Sequence, residues 1–378
     1  MTAIIRQLSL CYNDTNGAPT MAIKDTIDIA GYPTTAASRA LADAPPAARH
    51  AEVVQHALDA GWHIVGKANM HELAFGMTGI NDFTGTPPNP QDLTRIPGGS
   101  SSGSASAVGL HLVDAALGTD TGGSIRGPAA CCGVIGLKPT FGRVSRTGVA
   151  PRESSLDCVG PFARDMRTLI AAMAGIEPMF DTDAAGEWRT PIKVACVSIE
   201  AESGIRAAVQ HAINLADVGA RSIELALLYD AFEAGLAVIN AETSRAFGHL
   251  VATGQLGADL EARLRLAAAT TSAQLEAAEQ VRRRFTAAVE HALADVDVLV
   301  MPTLPALPIT VEAARNGTSV IAMSSLIRPF NLSGHPALSL PIPVAGSSLK
   351  AGLQIVGRKG ADERVCAIAA RFEAALGT

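Results

Sequence analysis

Pro97-Gly98-Gly99-Ser100-Ser101-Ser102-Gly103-Ser104 is followed, after an apolar interval, by Gly118-Thr119-Asp120-Thr121-Gly122-Gly123-Ser124-Ile125-Arg126-Gly127-Pro128-Ala129-Ala130. That segment runs on into Gly133-Val134-Ile135-Gly136-Leu137-Lys138-Pro139-Thr140-Phe141-Gly142-Arg143-Val144-Ser145. Taken by itself, the first segment reads as a flexible Gly/Ser connector. It also carries G-x-S-x-G over residues 99–103, the spacing of an α/β-hydrolase nucleophile elbow with Ser101 as nucleophile. Residues 102–110 read as a short helix leaving the loop, 112–117 as a buried strand and 118–123 as a turn. A second helix is expected from about Pro128, because the N–H that proline lacks would be unpaired at a first helical position. Ser124 stands just ahead of that helix, where a serine commonly serves as N-cap.

Further from this block the texture changes. Up to about residue 170 the chain is rich in Gly, Ser and Pro between short apolar runs. Residues 204–216, 229–250 and 258–294, the last with a break, follow a helical period, and this helical part occupies about 200–295. Residues 296–301 and 337–341 read as buried strands. Alternating strands and helices predict a layered α/β architecture, organised as one domain over residues 1–378.

Composition narrows the function. The 378 residues are 48% hydrophobic and 17% charged, ample for a large core, and the net charge is −6. Arg282-Arg283-Arg284 is the longest basic cluster and reads as a solvated helix face, so no nucleic-acid partner is expected. The six cysteines form no C-x-x-C pair, and His71-Glu72-Leu73-Ala74-Phe75 lacks the second histidine of a zinc motif, so no metal or cofactor is expected. Cys131 and Cys132 read as buried packing residues, and His335 as a structural histidine. No apolar run reaches membrane-spanning length and the first twenty residues lack a signal architecture, which predicts a cytoplasmic protein without a membrane partner.

The two serine segments together resemble the amidase signature. Supporting matches are Ala22-Ile23-Lys24-Asp25, Gly66-Lys67-Ala68-Asn69-Met70-His71-Glu72-Leu73-Ala74 and Leu156-Asp157-Cys158-Val159-Gly160-Pro161. Phe330-Asn331-Leu332-Ser333-Gly334-His335-Pro336-Ala337 and Gly352-Leu353-Gln354 match near the end. The resemblance covers nearly the full chain and is weakest over about residues 180–295. It implies an α/β fold with a mixed twisted central sheet covered by helices on both faces. It also implies an amidase cleaving the C–N bond of a small, primary amide through a serine acyl-enzyme. Carried over residue by residue, Ser124 is the implied nucleophile, Ser100 the bridging serine after a cis Gly99–Ser100 bond, and Lys24 the base. Backbone N–H groups of Thr121, Gly122, Gly123 and Ser124 would bind the oxyanion. Asp120 and Arg126 are expected to hold this turn by pairing.

The chemistry constrains that assignment. Lysine acts as a base only when neutral, so its pKa of about 10.4 must fall by roughly 3 units, at a cost of about 4 kcal/mol. Burial disfavours the ammonium and supplies the shift. Outside this context Lys24 would read as a surface lysine before Asp25. The G-G-S-S-S-G-S loop is similar to that of short plant-type indole-3-acetamide hydrolases, which points to small arylacetamides. Lys24 comes early, so the helices that precede it in typical members are expected to be reduced, and assembly, a homodimer included, stays open. Three alternatives remain at this level: a glutaminase-type subunit of a tRNA-dependent amidotransferase, a non-enzymatic binding protein on the same scaffold, and an α/β-hydrolase using Ser101.

Overall fold

The computed structural model describes residues 2–12, 17–187 and 191–377. Its strands are β1 (Ile4–Leu10), β2 (Thr20–Lys24), β3 (His63–Ala68), β4 (Ala115–Asp120), β5 (Ile135–Lys138) and β6 (Cys158–Ala163). Then come β7 (Val194–Val197), β8 (Ala220–Ile223), β9 (Val298–Pro302), β10 (Ala337–Pro343) and β11 (Lys350–Gly357). Among the described residues they form one eleven-stranded sheet in the order β1-β3-β2-β4-β6-β5-β10-β11-β9-β7-β8. The sheet is mixed: β2 pairs in parallel with β3 and β4, and β7 with β8 and β9, while the other pairs are antiparallel.

The helices are α1 (Glu52–Asp59), α2 (Ser102–Gly109), α3 (Arg126–Cys132), α4 (Met166–Ile176), α5 (Thr182–Gly186) and α6 (Ser203–Leu215). They continue with α7 (Leu228–Phe247), α8 (Ala258–Ala267), α9 (Ser272–Ala292), α10 (Val311–Arg315), α11 (Arg328–Ser333) and α12 (Asp362–Leu376). Side chains alternate across a strand, so each strand feeds two cores. In β9, Val298 and Val300 belong to the same core as Leu169 and Met173 of α4 and Ile368 and Phe372 of α12, whereas Leu299 and Met301 belong to a second core with Val238 of α7 and Phe285 and Val289 of α9. In β2, Met21 and Ile23 belong to the first core while Ala22 joins Ala105 and Val108 of α2 and Ala129 of α3. The expected sheet with helices on both faces is therefore present. No helix among the described residues is long and apolar enough to cross a membrane.

The expected break within 258–294 falls between α8 and α9. There Thr271 and Gln274 form a capping box: the Thr271 Oγ1 accepts from the Gln274 N–H at 3.2 Å, and Gln274 Oε1 accepts from the Thr271 N–H at 2.8 Å. Two of the boundaries that differ from expectation bear on the site. The strand expected over 112–117 runs instead over Ala115–Asp120, because Gly118, Thr119 and Asp120 pair with Gly160, Val159 and Cys158 of β6. The helix expected from about Pro128 begins at Arg126, with Ile125 rather than Ser124 as its N-cap.

Candidate active site

β2 and β4 lie side by side and parallel, with Ile23 opposite Leu117, so both point their carboxyl ends the same way. Lys24 is the last residue of β2, and Thr119 and Asp120 close β4. The mouths of sites in open α/β sheets lie at such strand ends. Lys24 is fully buried. Its Nζ donates to Ser100 Oγ at 2.8 Å and to Thr119 Oγ1 at 2.8 Å. Burial pulls its pKa down to about 7, with the negative charges of Asp157 and Asp120 opposing the fall. The surface-lysine reading is thus excluded. Asp25, its neighbour in sequence, pairs instead with Lys67 at 3.0 Å.

Ser100 is buried and follows a cis Gly99–Ser100 bond. The Ser101 N–H donates to the Ser124 carbonyl at 3.2 Å, which joins the two serine loops directly. Ser124 forms part of the wall of a cavity of about 870 Å³, together with Thr121, Gly122, His71, Ile239 and Arg328. That volume suits a small organic ligand. The cavity therefore meets Ser124, while Lys24 lies behind it in the protein interior.

The turn itself is held by Asp120. Its carboxylate accepts from the N–H groups of Gly123 (2.7 Å), Ile125 (3.1 Å) and Arg126 (3.3 Å), and from the Arg126 guanidinium at 3.0 and 3.1 Å. Asn331 Nδ2 adds a bond at 2.8 Å. Burial alone would raise the Asp120 pKa, but the Arg126 charge and hydrogen bonds, with Lys138 and Asn331, hold it well below the carboxylate range. Arg126 also donates to Gln354 Oε1 at 2.8 Å, Asn331 Oδ1 at 2.7 Å and the Ile327 carbonyl at 2.7 Å. The pairing expected of Asp120 and Arg126 is present and is fully buried. Glycine is required at 123: its φ is +113°, and a Cβ there would stand 2.1 Å from Ile327 Cδ1. Thr121 Oγ1 donates to Asp157 at 2.8 Å, and Asp157 pairs with Arg146 at 3.0 Å.

This network yields a stability prediction. Asp120→Ala should destabilise the fold by about 3–5 kcal/mol, because it strands a buried guanidinium and several backbone donors. Urea denaturation measures it. A loss below about 1 kcal/mol would show that Asp120 does not anchor the turn.

Other expectations can be placed. The Gly123 N–H is already engaged by Asp120, so of the four oxyanion donors expected, Thr121, Gly122 and Ser124 keep their N–H groups outside that network. The elbow reading of Ser101 fails: its hydroxyl is buried, donates to the Thr119 carbonyl at 3.1 Å and accepts from the Thr119 N–H at 3.3 Å, with no histidine as partner. His335 is buried, with Nδ1 on Ser333 Oγ at 2.9 Å, in keeping with a structural role. His71 lines the cavity, and burial chiefly lowers its pKa to about 4, so it is neutral near pH 7. Cys131 and Cys132 are buried, and burial pushes the Cys131 thiol up to about 12, against a reactive thiol. Arg283 and Arg284 are exposed, but Arg282 is half-buried and reaches Ser155 Oγ at 2.9 Å. No group of three or more His, Cys, Asp or Glu side chains among the described residues is placed to hold a metal ion.

Sequence reasoning gave no role to Thr119, Asp157, Asn331, Gln354 or Arg328. Asp157, Asn331 and Gln354 stand in segments that carry the resemblance, and that was their only signal. Thr119 likewise stands in such a segment, while Arg328 had no signal beyond proximity to one.

A family model described as Amidase matches residues 16–366. A glutamyl-tRNA(Gln) amidotransferase subunit of Synechococcus elongatus is 36% identical, over 93% of this chain and 83% of the relative. The crystal structure of the corresponding subunit from Thermotoga maritima superposes with a TM-score of 0.81 at 32% identity, covering 98% of this chain and 87% of that one. An inhibitor-bound structure, from work on a vestigial protein complex and the evolutionary origins of an s-triazine catabolic enzyme, gives a TM-score of 0.89 at 27% identity. It covers 96% of this chain and 86% of that one.

Proposed function

Because this chain belongs to the amidase signature family, whose members hydrolyse C–N bonds, we propose that it cleaves a small amide through an acyl-enzyme on Ser124. The observation that carries the reading is the 2.8 Å contact between Ser100 Oγ and a fully buried Lys24 Nζ whose pKa lies near 7. Near neutral pH a large fraction of Lys24 is then the free amine that a general base must be.

In the proposed reaction, neutral Lys24 takes the Ser100 hydroxyl proton while Ser100 takes that of Ser124. Ser124 Oγ attacks the amide carbon, and the carbonyl π electrons move to oxygen. The oxyanion sits against the N–H groups of Thr121, Gly122 and Ser124 in the turn that leads into α3. The C–N bond then breaks as the leaving nitrogen takes a proton back through Ser100 from the Lys24 ammonium. An ester to Ser124 remains. Water attacks that ester by the same proton path and releases the acid. The test is ammonia release from a panel of primary amides, arylacetamides included, with Ser124→Ala as control. Release that persists in the control would overturn the reading.

A second reading, the glutaminase-type subunit of a tRNA-dependent amidotransferase, is favoured by the names of the relatives at 32–36% identity. It predicts weak glutamine hydrolysis by the chain alone and stimulation by partner subunits. Full activity on simple amides by the isolated chain would decide for the first.

A further inference from the structure

Arg328 opens α11 and borders the cavity beside Gly122, only 6% exposed. Its stem passes Gly235, where a Cβ would stand 2.9 Å from Arg328 Cγ and 3.0 Å from Cδ, so the missing side chain leaves it room. The guanidinium carbon stands 4.4 Å from the centroid of the Phe232 ring. Nη1 donates to the Phe232 carbonyl at 3.3 Å and Nη2 to Ser324 Oγ at 2.6 Å. Nε is buried and has no hydrogen-bond partner among the described residues.

No carboxylate among the described residues pairs with this cation. The acid whose charge acts on it, Glu233, is exposed. Burial lowers the Arg328 pKa to about 10, which still leaves it charged at neutral pH. Arg126 shows the contrast: it is fully buried and is matched by Asp120. Of the other cavity arginines, Arg263 pairs with Asp259 at 3.1 Å and Arg315 with Asp82 at 2.9 Å, while Arg39 lies over the Phe83 ring. A cation withdrawn from water without an anion is costly unless something else supplies the negative charge.

We propose that Arg328 is a specificity-determining residue that binds a carboxylate carried by the substrate, so that the site takes monoamides of short dicarboxylic acids. Arginine offers a planar fork of donors that fits a carboxylate, and the ring of Phe232 fixes the plane of that fork. The linker must be short. A Cβ at Gly122 would stand 3.6 Å from Arg328 Nε, so the anion site lies against the same turn that would receive the oxyanion. This rests on the amide-hydrolysis reading of the cavity and names its substrate class.

The test separates binding from turnover. Calorimetry on the Ser124→Ala protein compares malonamate, succinamate and glutaramate with propanamide, butanamide and pentanamide. At least one acid amide should bind roughly 10- to 100-fold more tightly than its neutral counterpart, as a charged hydrogen-bonded pair provides. Adding Arg328→Met should erase that ratio, while Arg328→Lys, which keeps charge without the fork, should restore part of it. Thermal melts check that each variant is folded. With Ser124 intact, the Arg328→Met loss should fall on KM for the acid amide.

Equal binding of acid and neutral amides by protein that retains Arg328 would overturn the proposal. So would an Arg328→Met variant that lowers kcat on both classes alike, since that would place Arg328 at the oxyanion. Charge-selective binding without hydrolysis of any amide would uphold the anion site and reject the amide-hydrolysis reading instead.

Discussion

Ser124→Ala is expected to lower kcat on any amide substrate by about 10^4- to 10^6-fold while leaving the protein folded. The argument is local. Ser124 reaches the cavity, and its hydroxyl makes no hydrogen bond with another described residue. Its backbone, not its side chain, ties the two serine loops together through the bond from Ser101. Removing the oxygen therefore deletes the proposed nucleophile and little else, because Ile125 rather than Ser124 occupies the N-cap of α3. Background turnover would persist through oriented binding and the turn N–H groups. Single-turnover kinetics with a chromogenic anilide measure the loss. A drop of less than about tenfold would remove Ser124 from the chemistry.

Lys24→Ala is expected to cost roughly a thousand- to ten-thousandfold in kcat/KM, and to change the shape of its pH dependence. In the wild type, kcat/KM should rise with pH through about 7, as the Lys24 ammonium loses its proton, and level off above. The variant should lose that limb. Lys24→Arg should not rescue, since a guanidinium keeps its proton at any working pH. Because the proposed reaction runs one proton path through the three side chains, the double variant with Ser124→Ala should be barely worse than the worse single variant.

The same residue makes a second, independent prediction on stability. The unfolded chain holds the Lys24 proton up to the ordinary lysine value of 10.5, the folded chain only to about 7, so unfolding takes up a proton between those values. Stability should therefore rise with pH across that window, and Lys24→Met should flatten the rise. Near pH 7 the methionine variant should be more stable by about 1–3 kcal/mol, the buried amine being replaced by an apolar side chain of similar length. Urea titrations at several pH values check this. A variant less stable than wild type at pH 7 would show that the Ser100 and Thr119 hydrogen bonds outweigh desolvation.

The sheet with helices on both faces and the proximity of Lys24 to Ser100 were legible in the sequence, by way of the resemblance. Periodicity placed α6 and α7 within a few residues and marked a break somewhere within 258–294, because amphipathic periods are local. Elsewhere local pattern failed for a physical reason. β4 reads as ending before Gly118, since Gly-Thr-Asp resembles a turn until β6 is there to pair with it. Ser124 reads as a helix cap until Asp120 takes the N–H groups of Gly123, Ile125 and Arg126. The partners of Arg126, at 327, 331 and 354, come from the far end of the chain, and no spacing rule reaches that distance. The isolation of Arg328 from every described carboxylate is likewise a property of the packed interior. Ser101 shows the opposite hazard, for it satisfies a short motif while its hydroxyl is enclosed by Thr119.

The most direct measurement is the site of covalent modification. Wild-type protein, Lys24→Ala and Ser124→Ala would each be treated with a fluorophosphonate, digested, and mapped by mass spectrometry. The account predicts one adduct, on Ser124, formed fast in the wild type, slowly in Lys24→Ala and not at all in Ser124→Ala. An adduct on Ser101 or Ser100, or labelling of Ser124 at the wild-type rate without Lys24, would contradict it.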